Sequence, residues 1–205
     1  VLPEDILTIA RTVIEQESAS LTALIDQIDS SFVEVAHLLL NCQGHVLVAG
    51  AGTSHAVAAR LAHLLSCCGT PALFIHPGDS QHGLSGAVTS QDVLVAISKG
   101  GETTEVNHLA RIARQRGAKV IAFTEKPEST LGMLSDAVLL IRVAADVDPY
   151  GMIATGSSLT VSAMGDALCV ALLHMRGYSA EQFGQTHPGG AVGRLVEQQR
   201  KVSGT

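Results

Sequence analysis

The chain has no tryptophan, two tyrosines and four phenylalanines among 205 residues, yet 46% of it is apolar. A core made from such material is aliphatic, with Ala, Val, Leu and Ile at close quarters, which favours a buried parallel sheet covered by helices. The scarcity of aromatics argues against nucleic-acid binding by base stacking. Basic excess is also missing: 13 Lys and Arg stand against 19 Asp and Glu, a net charge of −6, so no positive field draws a polyanion. Four cysteines (Cys42, Cys67, Cys68, Cys169) form no C-x-x-C pair and read as small buried hydrophobes. The opening Val1-Leu2-Pro3-Glu4-Asp5 is acidic where a secretory signal is basic, and no apolar run is expected to reach the length of a membrane span. No Gly-Lys-Ser/Thr occurs, which excludes a Walker-type ATP site. These absences predict a cytoplasmic protein with neither nucleic acid nor membrane as a partner.

What is present is a pair of short turns, each after an apolar run and each opening a helix pattern. Gly50-Ala51-Gly52-Thr53-Ser54 follows His45–Ala49, and Ser98-Lys99-Gly100-Gly101-Glu102-Thr103-Thr104 follows Val93–Ile97. A glycine-rich turn at a helix start leaves backbone N–H groups unpaired at the positive end of the dipole, which suits an anion. The candidate phosphate ligands are Gly52, Thr53 and Ser54 from the first turn and Ser98, Lys99, Gly101 and Thr103 from the second. Helix N-caps alone are the competing reading of each turn. A dinucleotide site fits less well, because His55 stands where the third glycine of G-x-G-x-x-G belongs. A single phosphate held between the two turns accounts for both.

The periodicity predicts helices over 3–28 and from 30 or 31 to 41, then strands over 45–49, 72–76, 92–97, 119–124 and 137–142. Helices fall between them near 54–67 and 103–116, and a last one over 157–176 is apolar on nearly every face, placing it in the core or a subunit interface. Strand–helix alternation of this kind predicts a three-layer αβα sandwich with a five-stranded parallel sheet. Ligands of such sheets bind beyond the C-terminal strand ends, where both turns lie. Residues 1–43 form N-terminal helices packing on the domain, 44–195 the αβ domain itself and 196–205 a tail. His76, Asp79 and His82 cluster in sequence, but Pro77-Gly78 makes their segment a loop. Hydroxyl contacts or loop-fixing bonds account for His76 and His82 without a metal, so no metal and no organic cofactor is expected.

The two strand–turn–helix units resemble the sugar isomerase (SIS) domain, which makes 44–195 a phosphosugar-binding domain by resemblance. His76-Pro77-Gly78-Asp79, His82-Gly83, Gly101-Glu102-Thr103-Thr104-Glu105, Met164-Gly165-Asp166-Ala167-Leu168 and His187-Pro188-Gly189-Gly190-Ala191-Val192-Gly193-Arg194 resemble its arabinose 5-phosphate isomerase branch. Members of that branch commonly continue into two CBS domains, absent from these 205 residues. The resemblance implies a phosphosugar aldose–ketose isomerase acting through an enediol, with a small sugar phosphate as substrate. It further implies that His187 opens the sugar ring, that Glu105 is an active-site glutamate, and that Asp146 aligns with a second glutamate of the branch. In the family this histidine can reach the site from a neighbouring subunit, and the apolar helices of this chain predict a homo-oligomer, dimer or tetramer. The clearest departure is Thr53, where the branch carries a lysine; Lys99, in the second turn, is a candidate to replace that charge. The alternative function is a phosphosugar-sensing module without turnover.

Overall fold

A computed structural model describes residues 2–143, 147–189, 193, 194 and 198. Helix α1 (Pro3–Thr22) starts on a proline, with the Asp5 carboxylate accepting the Leu2 N–H at 3.1 Å. The helix expected through residue 28 ends at Thr22, and a separate 3-10 turn covers Ile25–Gln27. Asp29 then caps α2 (Ser30–Leu40), accepting from Ser31 N–H at 2.8 Å. The remaining order is β1 (Val46–Gly50), α3 (Thr53–Cys67), β2 (Ala72–Phe74), α4 (Pro77–Ser80), β3 (Val93–Ile97), α5 (Thr104–Gln115), β4 (Lys119–Thr124), α6 (Thr130–Leu134), β5 (Ala137–Leu140), α7 (Thr155–Arg176) and α8 (Ala180–Thr186).

All five strands are parallel, in the order β2-β1-β3-β4-β5. Strands β2 and β5 each end two residues before their expected limits. Both are edge strands with a partner on one side only, so the ladder runs out sooner. Successive residues face opposite layers. Val46, Val48, Val93, Val95, Ile97, Ile121 and Phe123 pack with α2, α3 and α7. Leu47, Ala49, Leu94, Ala96, Val120 and Ala122 pack with α5 and with Leu131 of α6. The result is the expected three-layer sandwich with an aliphatic core.

Helix α7 is 22 residues long and, by length and composition, apolar enough to cross a membrane. This corrects the expectation that no run reaches that length. In the fold α7 packs on α3, α2 and α1, with Met164, Leu168 and Leu172 buried. Helix α1 differs: Ile6, Ile9 and Ile14 are 57%, 60% and 65% exposed. All four cysteines are free thiols; Cys169 is buried, which pushes its thiol up to about 12, and the other three are half-buried.

Below the sheet, Asp92 ties the entry of β3 to that of β1. Its carboxylate accepts His45 N–H at 2.8 Å, Thr89 N–H at 2.7 Å and Thr89 Oγ1–H at 3.0 Å, and the residue is buried. Burial alone raises its pKa, but those three bonds outweigh it and hold the carboxyl below the ordinary 3.8. A carboxyl depressed in the native state adds stability above its unfolded pKa and loses it as the pH falls through the native one. Asp92→Ala leaves buried N–H groups unpaired at a cost of about 1–3 kcal/mol. The expected result is a lower melting temperature at pH 7, with the gap from wild type closing below about pH 4, as read by thermal unfolding across pH.

Candidate active site

Chain direction across the sheet reverses between β1 and β3: β2 lies to one side of this pair, β4 and β5 to the other. Such a switch point opens a crevice beyond the C-terminal strand ends. Gly50 and Ile97 are register partners, so the two turns leave the sheet side by side. A side chain at Gly50 would lie 2.5 Å from the carbonyl oxygen of Ser54; glycine lets the strand end run directly beneath the first turn of α3. Gly52, at the N-cap of α3, offers no side-chain cap, and the first N–H groups of α3 are left for a ligand.

The second turn is built more rigidly. Ser98 Oγ and Thr103 Oγ1 stand 2.9 Å apart, and Ser98 Oγ accepts Gly101 N–H at 3.2 Å. Gly101 adopts φ +69°, and a Cβ there would overlap Ser129 Oγ. Its carbonyl accepts Asn107 Nδ2–H at 3.1 Å and Leu131 N–H at 3.0 Å. Glu102 accepts Thr130 N–H and Oγ1–H at 2.8 and 2.7 Å, which fastens the turn to α6 and holds this carboxyl below its ordinary value. Thr103 opens α5 without capping it by its side chain.

Between the turns and α7 lies a cleft open to solvent. Val57, Ile97, Ile141 and Val161 supply apolar wall. The polar groups are Thr53, Ser54, Ser157 and Ser158, whose hydroxyls come from two helix N-termini, with Lys99 and Glu125. Thr124 Oγ1 and the Glu125 N–H both donate to the Lys99 carbonyl at 2.9 Å. The arrangement suits a small phosphorylated, hydroxyl-rich molecule: hydroxyl and N–H donors and one cation for the phosphate, a carboxylate and more hydroxyls for the rest.

Of the residues singled out from sequence, Thr53, Ser54 and Lys99 line this cleft, with Gly52 beside them and Ser98, Gly101 and Thr103 forming the turn that carries Lys99. Glu105 is exposed on the first turn of α5 and is not among the lining residues. His76 caps α4 by accepting Asp79 N–H at 3.3 Å, its ring 5.4 Å from that of His55, and His82 is exposed two residues past that helix. Neither histidine lines the cleft. Among the described residues no group of three or more His, Cys, Asp or Glu is placed to hold a metal. Asp146 lies outside the described residues.

His187 sits elsewhere. Its Nε2 is 3.5 Å from the Cys67 sulfur, its Nδ1 is 3.0 Å from the Phe183 carbonyl, and its ring stacks on Phe183 at 3.9 Å. Cys67 ends the helix that Thr53 begins, so at 1.5 Å per residue the two contacts are about 21 Å apart along α3. Asp166, from the Met164–Leu168 motif, forks onto Arg60 at 2.7 and 3.0 Å and joins α7 to α3. Glu125 was not singled out from the sequence. Its signal was its place immediately after β4, at the same end of the sheet as both turns.

The β5–α7 loop is organised by Asp148. Its carboxylate accepts from Tyr150, Met152 and Ile153 N–H at 2.9 to 3.3 Å. Its slight burial raises the pKa, but the backbone N–H groups of Ile153, Tyr150 and Met152 outweigh that and hold it below the ordinary 3.8. With its oxygens so engaged, Asp148 is a loop-fixing group.

The fold is a three-layer αβα domain with a cleft at its switch point. The chain belongs to the SIS domain family, whose pattern it matches over residues 39–171. It is 37% identical over 192 residues to the arabinose 5-phosphate isomerase KpsF of Escherichia coli, covering 93% of this chain and 59% of that protein. The chain thus spans about three fifths of the length of this relative. A protein of Listeria monocytogenes superposes with TM-score 0.90 at 33% identity, over 92% of this chain and 100% of its own. A protein of E. coli CFT073, solved in complex with arabinose 5-phosphate, superposes with TM-score 0.88 at 30% identity, over 92% and 100%.

The loop bonds yield a test. Asp148→Ala is expected to speed amide hydrogen exchange at Tyr150, Met152 and Ile153 by roughly tenfold or more, the loss of about one charged hydrogen bond's worth of protection. In the wild type the same amides lose protection only as the pH falls through the depressed Asp148 value, below 3.8.

Proposed function

We propose that this chain interconverts a phosphorylated aldose and ketose of the arabinose 5-phosphate/ribulose 5-phosphate type through an enediol. The observation that carries the reading is one cleft at the switch point lined by the start of α3 (Thr53-Ser54), the start of α7 (Ser157-Ser158) and Lys99 of the second turn. Membership of the SIS family, the activity named for KpsF and the arabinose 5-phosphate bound to the E. coli CFT073 protein support the same substrate class.

In this reading the N–H groups of α3 and the hydroxyls of Thr53, Ser54, Ser98 and Thr103 hold the phosphate, with Lys99 supplying the positive charge. Gly52 and Gly101 let the backbone approach it. His187 moves the ring-opening proton. A carboxylate, Glu105 or Asp146, removes the proton from C2 of the open aldose, the enediol forms, and a proton delivered to C1 leaves the ketose. His76 and His82 are assigned to sugar hydroxyls, although neither lines the cleft of its own chain.

His187 lies far along α3 from the phosphate turn of its own chain, which favours a site completed by a second copy. The apolar side chains α1 leaves exposed supply a surface for that copy. Mixing His187→Ala, expected to lower kcat by about 100-fold or more, with Ser54→Ala, expected to weaken sugar-phosphate binding by about tenfold or more, is predicted to restore part of the activity in mixed oligomers at low substrate. Absence of recovery, with mixed assembly demonstrated, would place each site within one chain.

The reaction itself is tested by NMR in D₂O with a panel led by arabinose 5-phosphate and ribulose 5-phosphate. Deuterium incorporated at C1 or C2 of a converted compound is the expected result. Ligand-induced thermal stabilisation without exchange in any compound would replace this reading with a sensing module.

A further inference from the structure

We infer that Glu125 determines specificity in this cleft: its carboxylate accepts a hydrogen bond from a substrate hydroxyl and sets which end of the molecule faces β4 and β5. The inference rests on the phosphosugar reading proposed above, and deepens it.

Glu125 is the first residue after β4 and is held from both sides. Its N–H donates to the Lys99 carbonyl at 2.9 Å, which ties it to the tail of β3. Its Oε1 accepts Val143 N–H at 2.9 Å, which ties it to the tail of β5. That tail is fixed independently by Gln27, whose side-chain amide bonds both the N–H and the carbonyl of Arg142, at 2.7 and 3.1 Å. A side chain anchored in this way has lost most of its rotamer freedom before any ligand arrives, so a bond from it costs little further ordering.

The anchoring uses only part of what a carboxylate offers. Two oxygens carry about four acceptor positions, and among the described residues the bond from Val143 is the one formed by this side chain. The residue is half-buried and lines the cleft with Lys99 and Thr124. An ionised carboxylate only accepts hydrogen bonds. It repels a phosphate and attracts hydroxyl hydrogens. Phosphate is therefore directed to the donors at Thr53, Ser54 and Lys99, and the polyol chain to Glu125. The sequence around it, Thr124-Glu125-Lys126-Pro127, contains no motif of the phosphate turns, so this contact adds selection for what is attached to the phosphate.

The test separates the two parts of the ligand. Glu125→Gln keeps an oxygen for Val143 N–H and removes the charge; Glu125→Ala removes both. Dissociation constants for arabinose 5-phosphate and for inorganic phosphate are measured by calorimetry, beside kcat and KM of the full chain. Glu125→Gln is expected to weaken arabinose 5-phosphate by about tenfold, through KM with kcat nearly unchanged, while inorganic phosphate binds as well as before or more tightly. Glu125→Ala should weaken the sugar phosphate at least as much. Equal weakening of both ligands would overturn the inference, since Glu125 would then act only through the fold. No change in either would overturn it as well. A wild-type chain that binds arabinose 5-phosphate but turns over no sugar phosphate would defeat the isomerase reading alone, and the ratio of the two dissociation constants would still decide the role of Glu125.

Discussion

The site depends on one feature of the sheet: β1 and β3 are parallel neighbours that end at the same level, with Gly50 opposite Ile97. Adjacent strands lie about 4.8 Å apart, so the turns that follow begin within hydrogen-bonding reach of a single small anion. The chain leaves β1 toward α3 and leaves β3 toward α5, on opposite faces of the sheet. The cleft opens on the α3 side, between the start of α3, the start of α7 and Lys99 of the second turn. Shifting either strand by one residue would turn its apolar side chains to the wrong layer, so the packing that stabilises the fold also fixes the site.

On the proposed function, an acidic chain has to bind its anion locally. With a net charge of −6, the long-range field repels a phosphate ester, and affinity has to come from oriented groups at short range. The polar inventory of the cleft fits that demand: uncapped helix starts, serine and threonine hydroxyls and Lys99. None requires a basic surface. The acidic groups nearby are occupied in other ways. Glu102 is spent on α6 and Asp148 on its own loop. Glu125 keeps one side toward the cleft.

Much of this was legible in the sequence because it is periodic or punctuated. Strands β1 and β3 are aliphatic runs, β4 has the apolar stretch Val120–Phe123, and the two turns are marked by glycine beside hydroxyl residues. What escaped is short or non-local. Helices α4, α6 and α8 have four, five and seven residues, too few for a 3.6-residue period to declare itself. The break at Thr22 interrupts an apolar pattern that runs on to Ile28, and nothing in that pattern signals it. Glu125 stands in no motif and gains meaning only when β4 is set between β3 and β5. The expectation that no run reaches membrane length missed α7, whose core placement was nevertheless legible: a helix central to an aliphatic core has the composition of one in lipid, and only its neighbours tell the two apart.

The placement of His187 bears on how the domain is used. Within its own chain the imidazole is engaged at both nitrogens, by the Phe183 carbonyl and the Cys67 sulfur, at the end of α3 away from the cleft. Bringing it to the phosphate turn of the same chain would mean carrying it past four turns of α3, and α8 with it. Supplying it from a second copy needs no such rearrangement; it needs the copies to present complementary surfaces. Ile6, Ile9 and Ile14 of α1 stay more than half exposed within the described residues of one chain, and burying them would remove the cost of that exposure to water. On the proposed function, assembly and catalysis then share a cause: the contact that covers α1 is the kind that could bring a second chain's His187 to the cleft, so a chain that fails to assemble would keep its phosphate site and lose its turnover.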